Sequence, residues 1–143
     1  MQIELPFRVL IADDQRPVRE GLRSVLALSP QVEVVGEAVD GQDAVHLVAE
    51  CHPDVVLMDI QMPVMDGLEA TRLIKSQWPC VRVIVLTIYA RYQAKALSAG
   101  ADVFLVKGCE AHALQEAILE ERHDDKRAVD GRVTPGDASR NGT

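Results

Sequence analysis

Five times along this chain a short strand-like run of apolar residues gives way to a segment with helical periodicity. The runs are Phe7–Ala12, Val32–Ala38, Asp54–Met58, Arg82–Leu86 and Val103–Val106. Pro17 suits the first turn of a helix, and Val18, Leu22, Val25 and Leu26 follow at helical spacing. Asp40 reads as the N-cap of a second helix whose stripe is Ala44, Val45 and Val48, and Pro53 breaks it. Asp66 and Glu69 have capping-box spacing for a third helix, which ends near Trp78-Pro79. A fourth over Ala90–Ala99 is stopped by Gly100, and a fifth over Glu110–Glu121 aligns Leu114, Ala117 and Ile118. Strict alternation of this kind predicts an α/β fold, a doubly wound five-stranded parallel sheet with five helices on its two faces. Runs one, three, four and five are almost continuously apolar, as strands buried on both faces must be.

At 143 residues the chain suits one ordinary domain. From Arg122 the composition turns to Asp, Lys, Arg and Gly with Val129 and Val133 as the only bulky apolar residues, so 1–121 reads as the folded domain and 122–143 as a disordered tail or linker. A net charge of −7 argues against a broad basic face for nucleic acid or an anionic membrane. No apolar run approaches a membrane span, Met1–Phe7 does not resemble a leader, and Cys51, Cys80 and Cys109 lack CxxC spacing. These features together read as a cytoplasmic protein with reduced thiols.

Open α/β sheets bind ligands beyond the carboxyl ends of their strands. In this chain those ends carry Asp13 and Asp14 after the first strand, Asp59 after the third, Thr87 after the fourth and Lys107 after the fifth. An Asp past a strand is commonly a turn former, and a terminal Lys is commonly a solvated charge. Five such groups on one edge are better explained as a site. Clustered carboxylates repel unless a cation neutralises them, and an all-oxygen set suits Mg²⁺. A carboxylate in such a set can be a nucleophile toward phosphorus, with a lysine sharing the charge on the phosphoryl oxygens and a threonine hydroxyl donating to one of them.

Other groups have plainer explanations. Met58, Met62 and Met65 read as packing rather than a soft-metal site. His46, His52, His112 and His123 lack zinc-ligand spacing and cysteine partners. A Mg²⁺-dependent phosphohydrolase with an aspartyl phosphate usually carries a second Asp two residues after the nucleophile, where this chain has Gln61. Neither GxGxxG nor GxxxxGK[ST] occurs.

The segments VLIADDQ (Val9–Gln15), VVLMDIQMPVMDG (Val55–Gly67), VIVLT (Val83–Thr87) and AGADVFLVK (Ala99–Lys107) resemble the receiver domain of bacterial two-component response regulators, most closely the NarL/FixJ-type branch. The resemblance implies a flavodoxin-like fold with strand order 2-1-3-4-5. It implies a phosphoacceptor signalling domain that catalyses only its own phosphorylation and dephosphorylation. Asp59 matches the phosphorylated aspartate. Asp14, Asp59 and the backbone carbonyl of Gln61 match direct Mg²⁺ ligands, and Asp13 matches an acid that holds the metal through water. Thr87 and Lys107 match the pair that grips the phosphoryl group, and Phe104 matches an aromatic switch position. Gln61, Ile88 and Tyr89 stand where the family tunes access to the pocket. Ile88 replaces a commonly small residue, from which slow autodephosphorylation is expected. Gly108 stands where a proline preceded by a cis peptide is frequent.

The implied partner is a sensor histidine kinase, and the implied output is transcription, with a homodimer as a further implied assembly. DNA contact requires a helix-turn-helix domain that this chain does not supply. The alternative is a stand-alone receiver acting through protein–protein contacts.

Overall fold

A computed structural model of the chain describes residues 5–130, with side-chain environments through Glu120. In chain order the elements are β1 (Phe7–Ala12), α1 (Arg16–Leu26), β2 (Val32–Ala38), α2 (Gly41–Cys51), β3 (Val55–Met58), α3 (Gly67–Gln77), β4 (Arg82–Thr87), a 3₁₀ turn (Ala90–Tyr92), α4 (Gln93–Ser98), β5 (Val103–Val106) and α5 (Ala111–Asp130). All four strand pairings are parallel, and the order across the sheet is β2-β1-β3-β4-β5. The doubly wound sheet and its expected order are therefore what the chain adopts.

The two-residue side-chain period of a strand explains how the core divides. Leu10, Ala12, Val56, Met58, Val83 and Val85 face one side, where they meet Ala44 and Val48 of α2, Ala70 and Ile74 of α3 and Ala96 of α4. Val9, Ile11, Val55, Leu57 and Ile84 face the other, against Leu26 of α1 and Leu114, Ala117 and Ile118 of α5. Most of these side chains have no exposed surface. Burying a side chain of this size stabilises a fold by about 1.5–3 kcal/mol, so two such layers hold the central strands in fixed register. Their carboxyl ends are thereby fixed as well.

Local chemistry sets the element boundaries. Asp40 and Asp66 cap α2 and α3 as their sequence positions require, each accepting from the backbone N–H three residues on. Asp54, expected inside the third strand, lies just before it, because its carboxylate accepts the Arg8 N–H at 2.8 Å. The fourth helix is shorter than the expected Ala90–Ala99: its first turn is 3₁₀, and the α-helical part ends at Ser98. Periodic apolar spacing does not separate these two helix types over one turn. The fifth helix continues past Glu121 to Asp130, through residues with no Gly or Pro until Gly131. The remainder of the expected tail, 131–143, lies outside the described residues.

Candidate functional site

Residues from four strand ends meet at the carboxyl edge of the sheet. Asp13 follows β1 and is 2% exposed, Asp59 follows β3 and is 8% exposed, and Thr87 closes β4 at 1%. Asp14 beside them is open to solvent. One carboxylate oxygen from each of Asp13, Asp14 and Asp59 lies within 4.8 Å of the other two. Lys107 reaches in from the end of β5, with Nζ 2.7 Å from Asp13 Oδ2 and 3.5 Å from Asp59 Oδ2. All five residues singled out at the strand ends are thus on this edge. The ion pair joins residues 94 positions apart.

The backbone around the carboxylates explains their placement. Asp13 Oδ1 accepts the Gln15 N–H at 2.9 Å, and its backbone carbonyl accepts from Arg19 Nη1 at 2.8 Å. Arg19 is held in turn by Glu37, which also binds Arg23. The Arg23 hydrogen bond, aided by Arg19, keeps the Glu37 carboxyl below its ordinary value against the opposing effect of burial. Asp59 Oδ1 accepts the Ile60 N–H at 2.9 Å.

The loop from β3 to α3 is pinned at both ends, by Gly67 N–H to Ile60 O and by Gly41 N–H to Met65 O, each 2.8 Å. A Cβ on Gly67 would lie 1.8 Å from the Asp59 carbonyl oxygen, so only glycine lets α3 start this close to the pocket. Within the loop, Val64 has φ 69°, inside a three-residue turn closed by Met65 N–H to Pro63 O at 2.7 Å. That is a costly conformation for a β-branched residue.

Burial raises the Asp59 carboxyl above its ordinary value, and the Asp13 charge adds to the rise while the Lys107 ammonium opposes it. One ammonium therefore serves two buried carboxylates, with a third at the rim. Three oxygen donors this close, short of positive charge, fit a hard divalent cation better than any soft metal.

The other expected residues surround this cluster. Phe104 is half-buried, paired with Val85 across β4 and β5, and packs on the core layer beneath α4. Tyr89 donates its backbone N–H to Thr87 Oγ1 at 3.4 Å, and the Arg91 guanidinium lies 4.3 Å from its ring centre. Ile88 points outward, 59% exposed. The Lys107–Gly108 peptide is trans, and Gly108 makes the turn with φ 94°, a conformation open to glycine. Gln61 is exposed, and its Nε2 donates to the Tyr92 hydroxyl at 3.2 Å. That contact makes Tyr92 part of the site, which sequence reasoning missed. Its only signal was helical spacing to the buried Ala96 four residues on. The hydrogen bond with Gln61 lowers the Tyr92 hydroxyl's pKa from its ordinary value.

The sequence pattern that defines the response regulator receiver domain matches residues 9–119. The transcriptional regulatory protein DegU of Brevibacillus brevis is 43% identical over 117 residues, covering 80% of this chain and 50% of DegU. LnrK of Bacillus subtilis, also a transcriptional regulatory protein, is 42% identical over 115 residues, covering 79% of this chain and 52% of LnrK. The chain thus spans about half the length of these curated relatives. Among solved structures, a LuxR-family two-component response regulator from Aurantimonas superposes with a TM-score of 0.76 at 34% identity, over 80% of this chain and 84% of that one. Among the described residues no helix is long and apolar enough to cross a membrane.

Proposed function

The chain belongs to the response regulator receiver family, and from that premise we propose that it takes a phosphoryl group from a phosphohistidine of a sensor kinase onto Asp59. The observation that carries this reading is the Lys107 ammonium set between the buried carboxylates of Asp13 and Asp59. A carboxylate held in that setting is oriented, partly desolvated and paired with a cation that also attracts a phosphoryl oxygen.

In the transfer, an Asp59 carboxylate oxygen forms a bond to phosphorus while the phosphorus–nitrogen bond of the donor breaks. The electron pair goes to the imidazole nitrogen, which takes a proton from solvent. Asp14, Asp59 and the Gln61 carbonyl would hold Mg²⁺, with Asp13 acting through water. When bound, the ion supplies charge neutralisation on the phosphoryl oxygens and relieves repulsion among the acids.

Phosphorylation adds nearly two negative charges at Asp59. Thr87, at the end of β4, donates its hydroxyl to a phosphoryl oxygen and gives up its contact with the Tyr89 N–H. Lys107 shifts its ammonium toward the new charge, and Phe104 turns into the space that Thr87 leaves. The local charge is thereby converted into a change of surface around α4 and β5. Gln61, Ile88 and Tyr89 stand where the family tunes access, and they set the phosphoryl lifetime.

The domain works in the cytoplasm. It forms a homodimer on activation and controls transcription as the receiver portion of a longer DNA-binding regulator, as the lengths of its relatives suggest. Intact-mass measurement after incubation with acetyl phosphate tests the central step. One phosphoryl group should be gained only with Mg²⁺ present and not in Asp59→Asn. A gain that persists in Asp59→Asn would refute the assignment.

A further inference from the structure

Beside the acidic pocket a groove of about 690 Å³ opens between the β3–α3 loop and α4, lined among others by Asp14, Gln61, Met62, Leu68, Tyr92 and Lys95. Asp14 belongs to the acid cluster and Gln61 lies two residues beyond Asp59, so this groove adjoins the acidic pocket. Its two walls are joined by one side-chain hydrogen bond, Gln61 Nε2 to the Tyr92 hydroxyl at 3.2 Å. Ile88 and Tyr89 take no part in lining it.

Tyr92 is well placed to hold its end of that bond. Its ring packs on the core layer that includes Ala96 and Ile60. Cationic groups flank it, with Arg91 5.1 Å and Lys95 5.9 Å from the ring centre. It closes the 3₁₀ turn and leads directly into α4, so its hydroxyl moves when α4 moves. Gln61, by contrast, is exposed in the loop between β3 and α3, and among the described residues its carboxamide makes no other hydrogen bond.

We propose that Tyr92 is a positioning residue for the lifetime of the aspartyl phosphate, tethering the Gln61 carboxamide to the α4 wall of the groove and away from water that approaches Asp59. This rests on the phosphoacceptor reading above. Hydrolysis of the acyl phosphate needs a water oxygen to bond to phosphorus as the bond from phosphorus to the Asp59 oxygen breaks. The carboxylate leaves with the electron pair, and the water proton passes to the released phosphate or to solvent. An untethered carboxamide is free to turn and hold that water in line with its N–H donors and its carbonyl acceptor. Tethered to Tyr92, one of its two N–H donors is committed and the group is held against the α4 wall.

The same bond ties hydrolysis to the output face. A displacement of α4 that carries Tyr92 away releases Gln61, and a partner that holds α4 in its resting place keeps the tether closed. The lifetime of the signal is then set in part by what occupies α4, with no contact between that partner and Asp59.

The test is a double-mutant cycle on the full 143-residue chain. Wild type, Tyr92→Phe, Gln61→Ala and the double variant are each treated with acetyl phosphate and Mg²⁺, freed of donor, and followed by intact mass as the phosphoryl group is lost. Tyr92→Phe removes only the hydroxyl and keeps the ring packing. A hydrogen bond of this kind corresponds to about a two- to tenfold change in rate, so Tyr92→Phe should lose its phosphoryl group faster by that factor. In the Gln61→Ala background the same substitution should change nothing, an outcome that a general loosening of α4 would not give. Equal decay of wild type and Tyr92→Phe, or an equal acceleration in both backgrounds, overturns the tether. Failure of the wild-type chain to gain any phosphoryl group overturns the phosphoacceptor reading itself, and the tether with it.

Discussion

Lys107→Met removes the one ammonium that the buried carboxylates share while keeping most of the apolar stem. Unit charges 2.7 and 3.5 Å apart attract by roughly 5–6 kcal/mol each, before desolvation, at an effective dielectric constant of about 20. Much of that is offset by the cost of holding the ammonium out of water, and breaking one side of a buried pair has a net cost of about 3–5 kcal/mol. The Lys107 side chain is 19% exposed and the cluster borders solvent, so the lower end applies: a loss of about 3 kcal/mol at pH 7 without metal. Urea unfolding followed by circular dichroism in chelator measures it.

The pH dependence should change as well. A raised carboxyl such as Asp59 binds its proton more tightly in the folded state than in the unfolded chain. Its contribution to stability is full below the unfolded carboxyl's pKa and is lost as pH rises through the folded one. Without Lys107 the opposing influence on Asp59 is gone, so the variant should regain more stability than the parent on acidification from neutral pH. Mg²⁺ should recover part of the loss at pH 7 by restoring positive charge. A variant as stable as the parent in chelator at pH 7 would show that solvent, rather than Lys107, relieves the acids, and would refute the electrostatic account.

Three further substitutions probe the scaffold and the acceptor. Gly67→Ala forces a Cβ against the Asp59 carbonyl and should lower stability by about 2 kcal/mol or more while slowing phosphoryl uptake, read by denaturant unfolding and intact mass. Lys75 Nζ donates to the carbonyls of Pro79 and Val81 and to the Asp102 carboxylate, which also accepts the Val83 N–H. Lys75→Met should therefore cost about 2–4 kcal/mol in urea unfolding, and an effect within experimental error would remove this linkage from the account. Asp59→Asn takes away a carboxylate whose charged form the pocket disfavours, so the metal-free protein should become more stable at pH 7. Its midpoint in chelator should rise, and a fall would contradict the burial argument.

The strands were legible because branched apolar runs have few other uses, and the order of their polar terminators placed Asp13, Asp14, Asp59, Thr87 and Lys107 on one edge. Asp40 and Asp66 announced their helices because a capping carboxylate acts within three residues of itself. What the sequence concealed depends on contacts between distant elements. Nothing local to Asp13 says that it is buried, since its neutralising partner, Lys107, comes from the end of β5, three strands along the sheet from β1. Gly67 reads as an ordinary turn glycine until the Asp59 carbonyl is found against it. Ile88 reads as a residue that tunes access to the pocket and is 59% exposed, while the contact across the groove comes from Tyr92, which no local pattern marks. The 3₁₀ turn that presents Tyr92 lies within an alanine-rich stretch whose periodicity suits either helix type.

The acceptor residue itself is open to direct identification. The chain is treated with acetyl phosphate and Mg²⁺, the acyl phosphate is reduced with borohydride, and the peptides are sequenced by mass spectrometry. Reduction converts a phosphorylated aspartate to homoserine and leaves free carboxylates untouched. The account predicts homoserine at position 59 alone. Homoserine at position 13 or 14, or none after a confirmed mass gain, would contradict it.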